Sequence, residues 1–444
     1  MQSVCRRIMH RLMFALAFVP GVTPGLAFAH DLEIHGSNTI GATLAPLLIT
    51  GFLEQLTGAP ATATATGTEN ETVLTTMRGS KPLTVLVAAH GSSTGFTAMM
   101  ASKADIWAAS RRIKDTEVNA MAGQADMTTA DSEHIIAIDG LAILVHPSNP
   151  VDQLSIETLA KIFAGEITNW SAFGGPDLTI RVYARDDRSG TWDTFKDLVL
   201  AGKYRLTDKA LRYESNDQLS DDISGDPAGI GFTGFASVRS SKLLAIADGN
   251  APALRPSELS VATEDYPLSR RLYLYTPGAS SKPLAQAFID FAQSQTGQDI
   301  VAETGFFSQN PFAVDPVQDD SVPDTFKRLT EPYQRLSVNV RFTEGRTLLD
   351  NKAQRDLLRI QHYLGETGRT GKDLMLIGFA DEQSDELRAQ MISELRALTV
   401  SKALRERGTL VPGHTGYGHS MRVGAAGGDN GATRNGRVEV WVRR

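Results

Sequence analysis

Through its first two thirds this 444-residue chain alternates short apolar runs, each closed by a Gly/Ser turn, with stretches of helical spacing. "LTVLVAA" (83–89) turns at "HGSSTG" into "FTAMMASKADI". "IIAIDGLAILVHP" (135–147) is a nearly continuous apolar run, and "SIETLAKIFAG" (155–165) has apolar residues at helical intervals and stops on glycine. Strands apolar on both faces and separated by helices must be covered on both sides, which calls for parallel strands with crossover helices. The Thr-rich "ATATATGTENETVLTTMRG" (61–79) alternates with period two and predicts a hairpin with one polar face.

The ends of the chain read differently. Arg6, Arg7 and Arg11 precede the apolar "LMFALAFVP", and Ala27, Phe28 and Ala29 form a small-residue cleavage site, so residues 1–29 are expected to be a secretory signal peptide. Cys5, the only cysteine, lies inside it, so the mature chain is expected to depend on burial rather than disulfides. Losing three arginines and no acids takes the net charge from −7 to −10, which argues against nucleic acid as a partner. Residues 311–336 hold most of a Pro-rich stretch without periodicity and are expected to be a linker. From Ser337 onward 17 basic and 13 acidic side chains give +4, leaving −14 on residues 30–336.

Three turns share one design of strand, then Gly/Ser/Thr, then helix: "HGSNTIG" (35–41), "HGSSTG" (90–95) and "RDDRSGT" (185–191). Backbone N–H groups at a helix start, hydroxyl donors and one arginine are what a small tetrahedral oxyanion needs. The second turn also has the Gly91, Ser93, Gly95 spacing of a nucleophile elbow, which would make Ser93 the nucleophile of a hydrolase. That alternative lacks parts. The downstream histidines, His134 and His146, sit in or beside apolar strands, and no His-led glycine loop precedes the turn. No catalytic residue, cofactor or metal site is expected.

In order and spacing, "GSNT", "HGSSTGF", "KADIWAASR", "IAIDGLAILVHPSNP", "LAKIFAGEITNW", "RDDRSGTWDTF" and "AGIGF" resemble the PstS-like periplasmic phosphate-binding proteins of ABC transporters, over most of residues 31–310. The resemblance implies a type II periplasmic-binding fold, two α/β lobes closing on inorganic phosphate or a related oxyanion, with an ABC transporter permease as a further partner. It assigns phosphate binding to Thr39, the backbone at Ile40, Ser92, Ser110, and the clamp Arg185, Ser189, Gly190 and Thr191. Ser110 stands where some members place an aspartate that accepts the proton of monohydrogen phosphate. Asp186 and Asp187 are candidates to compensate, and Arg111 and Arg188 to steer the anion.

From 336 onward, "LSVNVRF" alternates as a strand, and "LLDNKAQRDLLRIQHYL" puts Leu349, Ala353, Leu357, Ile360 and Leu364 on one helical face. "LMLIGFAD" and "RVEVWV" read as strands, which suggests a helix-backed mixed sheet. This part resembles the OmpA-like peptidoglycan-binding domain, an α+β fold. In that family an aspartate past the second strand is followed by the arginine of an L-S-x-x-R-A helix motif, here Asp381 and Arg396. Diaminopimelate carries an ammonium and a carboxylate on one carbon, so a fixed carboxylate and guanidinium would take both. Ala389, Gly436, Arg422 and Ala426 depart from the family pattern. The expected protein is periplasmic, associated with the cell wall or outer membrane of a Gram-negative bacterium. A wall-attached oxyanion sensor or scaffold without a transporter is the alternative.

Overall fold

The computed structural model describes residues 30–187, 189–278, 281–316, 322–342, 348–381, 385–425 and 434–444; the expected signal peptide 1–29, Arg188 and Ala426 lie outside them. The first domain is a two-lobed α/β fold on one continuous path of strands. In lobe 1, Leu32–Gly36 lies between parallel neighbours Lys81–Ala88 and Ile106–Ala109, and the Thr-rich stretch forms the antiparallel hairpin Thr62–Ala65 with Glu71–Arg78 at the edge. In lobe 2, Arg181–Arg185 runs parallel to Gly229–Gly234 and to Leu211–Tyr213.

Two long strands join the lobes. Glu133–Val145, buried along its whole length, pairs through residues 133–140 with Ser269–Tyr275 of lobe 1 and through 141–145 with Gly229–Gly234 of lobe 2. This is the run that reads as continuous apolar sequence, because both its edges are paired and both its faces are covered. Helix Ile156–Phe163 is capped by the Ser155 hydroxyl, which accepts from the Thr158 N–H at 3.0 Å, and Gly165 ends it with a left-handed backbone, as the sequence spacing predicts.

The C-terminal domain is a mixed sheet ordered Ala313–Val314, Tyr333–Arg341, Arg437–Arg443, Leu374–Gly378, Gly413–Gly416, antiparallel except for its last pair. Helices Asn351–Glu366 and Glu386–Glu406 back it. The Pro-rich stretch contributes to this domain. Ala313–Val314 adds an edge strand and Asp324–Thr330 a helix whose Phe326 is buried against Phe379 and Trp441. Elements of two and seven residues are too short to leave a periodic signature.

The two domains meet along a charged seam. Arg341 donates to Glu264 (3.2 Å), to Asp265 (3.2 Å) and to the Thr263 carbonyl (2.9 Å). Asn339 donates to Asp265 at 2.7 Å. Asp350 caps helix Asn351–Glu366 with one oxygen and accepts from Arg271 of the lobe-joining strand with the other, at 2.8 Å. Arg434 pairs with Asp248 of lobe 2.

Candidate functional site

All three Gly/Ser/Thr turns converge at the interlobe cleft. Thr39 stands at the start of the helical segment that runs from Ile40 through a π turn into Ala45–Thr57. Ser92 opens helix Ser92–Met100, and Ser189 caps the helix that begins at Gly190 and continues as a π turn to Leu200. The tightest point is Gly190: a Cβ there would lie 2.5 Å from the Ser110 hydroxyl and 3.0 Å from that of Thr39. Only glycine lets a lobe-2 helix start approach two lobe-1 hydroxyls this closely. Ser92 and Ser110 are both buried; the Ser110 N–H donates to the Ser92 hydroxyl at 3.1 Å, and the two hydroxyls lie 3.4 Å apart. Thr39, Arg185, Ser189, Gly190 and Thr191 line a cavity of about 290 Å³, and Ile40, Ser92 and Ser110 sit behind the same turns.

Arg185 ends the strand that leads into the third turn and is 9% exposed. Its Nε donates to the Tyr213 carbonyl (3.1 Å), one Nη to the Glu214 carbonyl (2.6 Å) and the other to Asn216 Oδ1. A guanidinium has five N–H donors, so one on each Nη is left by these contacts, the pair that a bidentate oxyanion engages. Burial pulls Arg185 below the ordinary arginine range; the Asp186 carboxylate opposes this and the Arg270 guanidinium adds to it. A bound anion would reverse that shift.

The other sequence candidates fall into place around this. Asp186 lines the cleft, with an oxygen 3.8 Å from Arg185 Nη2. Asp187 does not serve the anion: its side chain is 85% exposed and pairs with Arg212 at 2.6 Å. Arg111 is held bidentately by Glu117 (2.7 and 2.8 Å). Ser93, the elbow serine, is met by Arg111 Nη2 at 3.4 Å, and among the described residues no histidine bonds it. His134 is buried against Thr276, and burial lowers it to about 4; His146 bonds Ser148. The sequence reading missed the buried pair Asp139 and Arg270, whose one signal was the aspartate inside the apolar run 135–147.

In the C-terminal domain Asp381 and Arg396 are both half-buried and, among the described residues, no ion pair within 4.0 Å joins them. Asp381 accepts from Asn435 Nδ2 at 3.0 Å. Arg396 donates to the Phe379 carbonyl at 2.9 Å, stands 5.4 Å over the Phe342 ring, and has a buried Nε without a partner. Burial lowers Arg396, and the nearby Asp381 opposes that shift. A Cβ at Gly436 would lie 2.6 Å from Arg396 Nη1, so the departure at 436 is what gives this guanidinium its room. Ala389 is fully buried under its helix. Each charge thus lacks a charged partner within the pair, unlike a closed intradomain salt bridge.

Comparison with known proteins agrees with both domains. The PBP superfamily domain profile matches residues 43–296 and the OmpA family profile residues 341–439. The Phosphate-binding protein PstS of Borreliella burgdorferi is 30% identical over 224 residues, 49% of this chain and 77% of that protein. Protein SphX of Synechococcus elongatus is 33% identical over 240 residues, 51% of this chain and 69% of that protein. Among solved structures, an ABC-type phosphate transport receptor from Vibrio cholerae aligns with 62% of this chain and 99% of its own, at 26% identity and a TM-score of 0.49. The PstS relatives from Borreliella burgdorferi and Bacillus subtilis carry the name of phosphate-binding proteins.

Proposed function

The chain belongs to the PBP superfamily and carries an OmpA family domain at its C-terminal end, and on that premise we propose that it binds inorganic phosphate, or a similar oxyanion, between its lobes while its last domain holds it to peptidoglycan. The observation that carries the reading is the meeting of three helix-opening turns from two lobes around Gly190, with Arg185 presenting two unengaged N–H groups beside them. Thr39, Ser92, Ser110 and Ser189 supply hydroxyls; Ile40, Gly190 and Thr191 supply backbone N–H groups; Arg185 supplies the charge. Residues 30–310 form the receptor and 337–444 the wall domain, to which 311–336 adds an edge strand and a helix, and 1–29 direct export. In the wall domain Asp381 takes the ammonium and Arg396 the carboxylate of diaminopimelate. The protein then works in the periplasm against the cell wall, handing its ligand to an ABC transporter permease. Calorimetry of the mature chain with phosphate, sulfate and arsenate tests the reading. Saturable one-to-one binding of phosphate without turnover is expected; no binding, or hydrolysis of an aryl phosphate, would sink it.

A further inference from the structure

A flexible linker would leave the two domains independent, but the C-terminal domain touches the receptor on both sides of its hinge. The strand Glu133–Val145 changes partner between residues 140 and 141, so closure of the lobes turns about that point. On the lobe-1 side Asn351 donates to Glu133 at 3.2 Å, Asp350 accepts from Arg271 at 2.8 Å, and Arg359 donates to Gln309, whose own amide holds the Ile135 carbonyl. At the hinge, Tyr266 donates to the Leu141 carbonyl and the Leu268 carbonyl takes the Leu141 N–H. The residues just before them, Glu264 and Asp265, form the charged seam with Arg341. On the lobe-2 side stands Asp248, in the turn after Ala245–Ala247; its Oδ2 accepts from the Ala425 N–H at 2.9 Å and from Arg434. Gly249 beside it packs so closely that a Cβ there would lie 2.9 Å from that of Ala425.

Lobe 2 lies against lobe 1 in this arrangement. Arg270, fixed by two bonds to Asp139 at 2.9 and 2.6 Å, reaches from the lobe-1 strand Ser269–Tyr275 to the Gly190 carbonyl of lobe 2 at 2.6 Å, while its neighbour Arg271 turns to the seam. A body fastened on both sides of a hinge favours the one interlobe angle at which all its contacts are met. Contacts near the hinge move little when the lobes part; the contact at Asp248, in lobe 2 alone, has to stretch or break. That contact shares its residues with the wall site. Asn435, 1% exposed, donates to Asp381 and to the Gly424 carbonyl, both at 3.0 Å, and its Oδ1 accepts from the N–H groups of Val423 (2.9 Å) and Gly424 (3.0 Å). The two residues that hold Asp248 adjoin this knot: Arg434 precedes Asn435 and Ala425 follows Gly424. An ammonium is a stronger donor to a carboxylate than an amide is, so an ammonium at Asp381 takes from Asn435 one of its anchors. We infer that the wall domain latches the cleft through Asp248, and that a diaminopimelate ammonium at Asp381 loosens the latch and lowers the affinity for the oxyanion. The inference rests on both halves of the proposed function. Coupling of this kind is reciprocal, so an occupied cleft weakens wall binding by the same factor.

Calorimetry of the full mature chain with phosphate, in the absence and presence of a saturating soluble muropeptide that carries diaminopimelate, tests this without a variant. Phosphate affinity should fall about fivefold when the muropeptide is bound, and muropeptide affinity should fall by the same factor at saturating phosphate. Asp248→Asn and Arg434→Met cut the latch from its two sides. Each should bind phosphate about fivefold more weakly than the parent before any muropeptide is added, and the muropeptide should then change nothing further. Asp248→Asn also removes a negative charge from the receptor, which by itself favours an anion, so a weakening there does not come from charge. Arg341→Ala, at the hinge, should leave phosphate affinity where it is. Phosphate affinity that is equal with and without bound muropeptide would overturn the inference, a result that stands even if a variant does not fold. So would a shift in the parent that persists in both variants. A muropeptide that does not bind the parent would refute the wall reading, and a parent that does not bind phosphate would refute the cleft reading; either takes the coupling with it and shows as a silent titration, whereas failure of the latch alone shows as two full affinities that ignore each other.

Discussion

In the cleft, Arg185 meets two backbone carbonyls and an amide oxygen, and the carboxylate nearest to it stands 3.8 Å away. At the seam, Arg341 meets two carboxylates, Glu264 and Asp265, at 3.2 Å each, and Arg335 meets Glu439 at 3.2 Å. All three guanidiniums are nine-tenths buried or more, and burial lowers all three. What differs is the source of the compensating charge. At the seam the chain carries its own, so the arginines serve cohesion. In the cleft the hydrogen-bonding partners are neutral and Asp186, at 3.8 Å, balances the charge only in part, which leaves room for a diffusible anion to complete it. The same contrast appears in Asp381 and Arg396, each set in place by neutral groups and left without a charged partner within the pair.

The sharpest way to break this comparison is to delete the cleft charge. Arg185→Ala should lose about 3 kcal/mol of phosphate binding, roughly a hundredfold or more in affinity, because a buried anion then lacks its bidentate partner. The melting temperature without ligand should fall only moderately, since the substitution unpairs two carbonyls and an amide oxygen but no carboxylate in direct contact. An affinity equal to the parent's by calorimetry would mean that the clamp lies elsewhere.

Deleting a seam charge should do the reverse. Arg341→Ala takes one guanidinium from Glu264, which keeps Arg271, and one from Asp265, which keeps Asn339, and losing these charged hydrogen bonds should cost about 2 kcal/mol of stability, read as a lower midpoint in denaturant titration with phosphate affinity held. Acid should reproduce part of this. Burial works against the charged form of Glu264, but the guanidiniums of Arg271 and Arg341 overcome it and take the group from 4.5 to about 2. With the folded value below the unfolded one, its contribution is complete above about pH 4.5 and fades as pH falls toward 2. Stability of the parent should therefore drop across that window, and the drop should be shallower in Glu264→Gln.

At the wall, Asp381→Ala or Arg396→Ala alone should remove most sedimentation with diaminopimelate-type peptidoglycan, because each leaves one charge of the ligand unmatched. Retention that survives both substitutions but disappears at high salt would mark general attraction between a domain of net +4 and an anionic wall instead.

Much of this was legible before any coordinates. Wherever an element is long and packs one way, its pattern shows: the run 135–147 as a buried strand, the Thr-rich hairpin, and the helical face from Leu349 to Leu364. The three turns were legible because glycine, hydroxyl and arginine at fixed offsets have few other uses. Asp139 and Arg270 escaped because one lies inside an apolar run and the other stands beside Arg271 at the start of a strand, and only the pairing of two segments 131 residues apart turns them into one group. The seam escaped for the same reason. Its arginines show no partner until Thr263–Asp265 is laid against Asn339 and Arg341.

The smallest expected effect separates two neighbours. Ser92 and Ser93 share a turn whose spacing suits a hydrolase as well as an anion site, and the structure gives them opposite surroundings. The Ser92 hydroxyl is buried, takes the Ser110 N–H, and stands 3.4 Å from the Ser110 hydroxyl behind the cleft. Ser93 faces outward toward Arg111. Ser92→Ala should cost phosphate binding about tenfold, the worth of one hydrogen bond to a charged group, and should leave the Ser110 N–H without its acceptor. Ser93→Ala should change neither affinity nor stability, and neither protein should turn over an aryl ester. A strong loss at Ser93 with none at Ser92 would invert the reading of this turn: the hydroxyl that matters would then be the exposed one, as in an elbow, and the convergence around Gly190 would need another explanation.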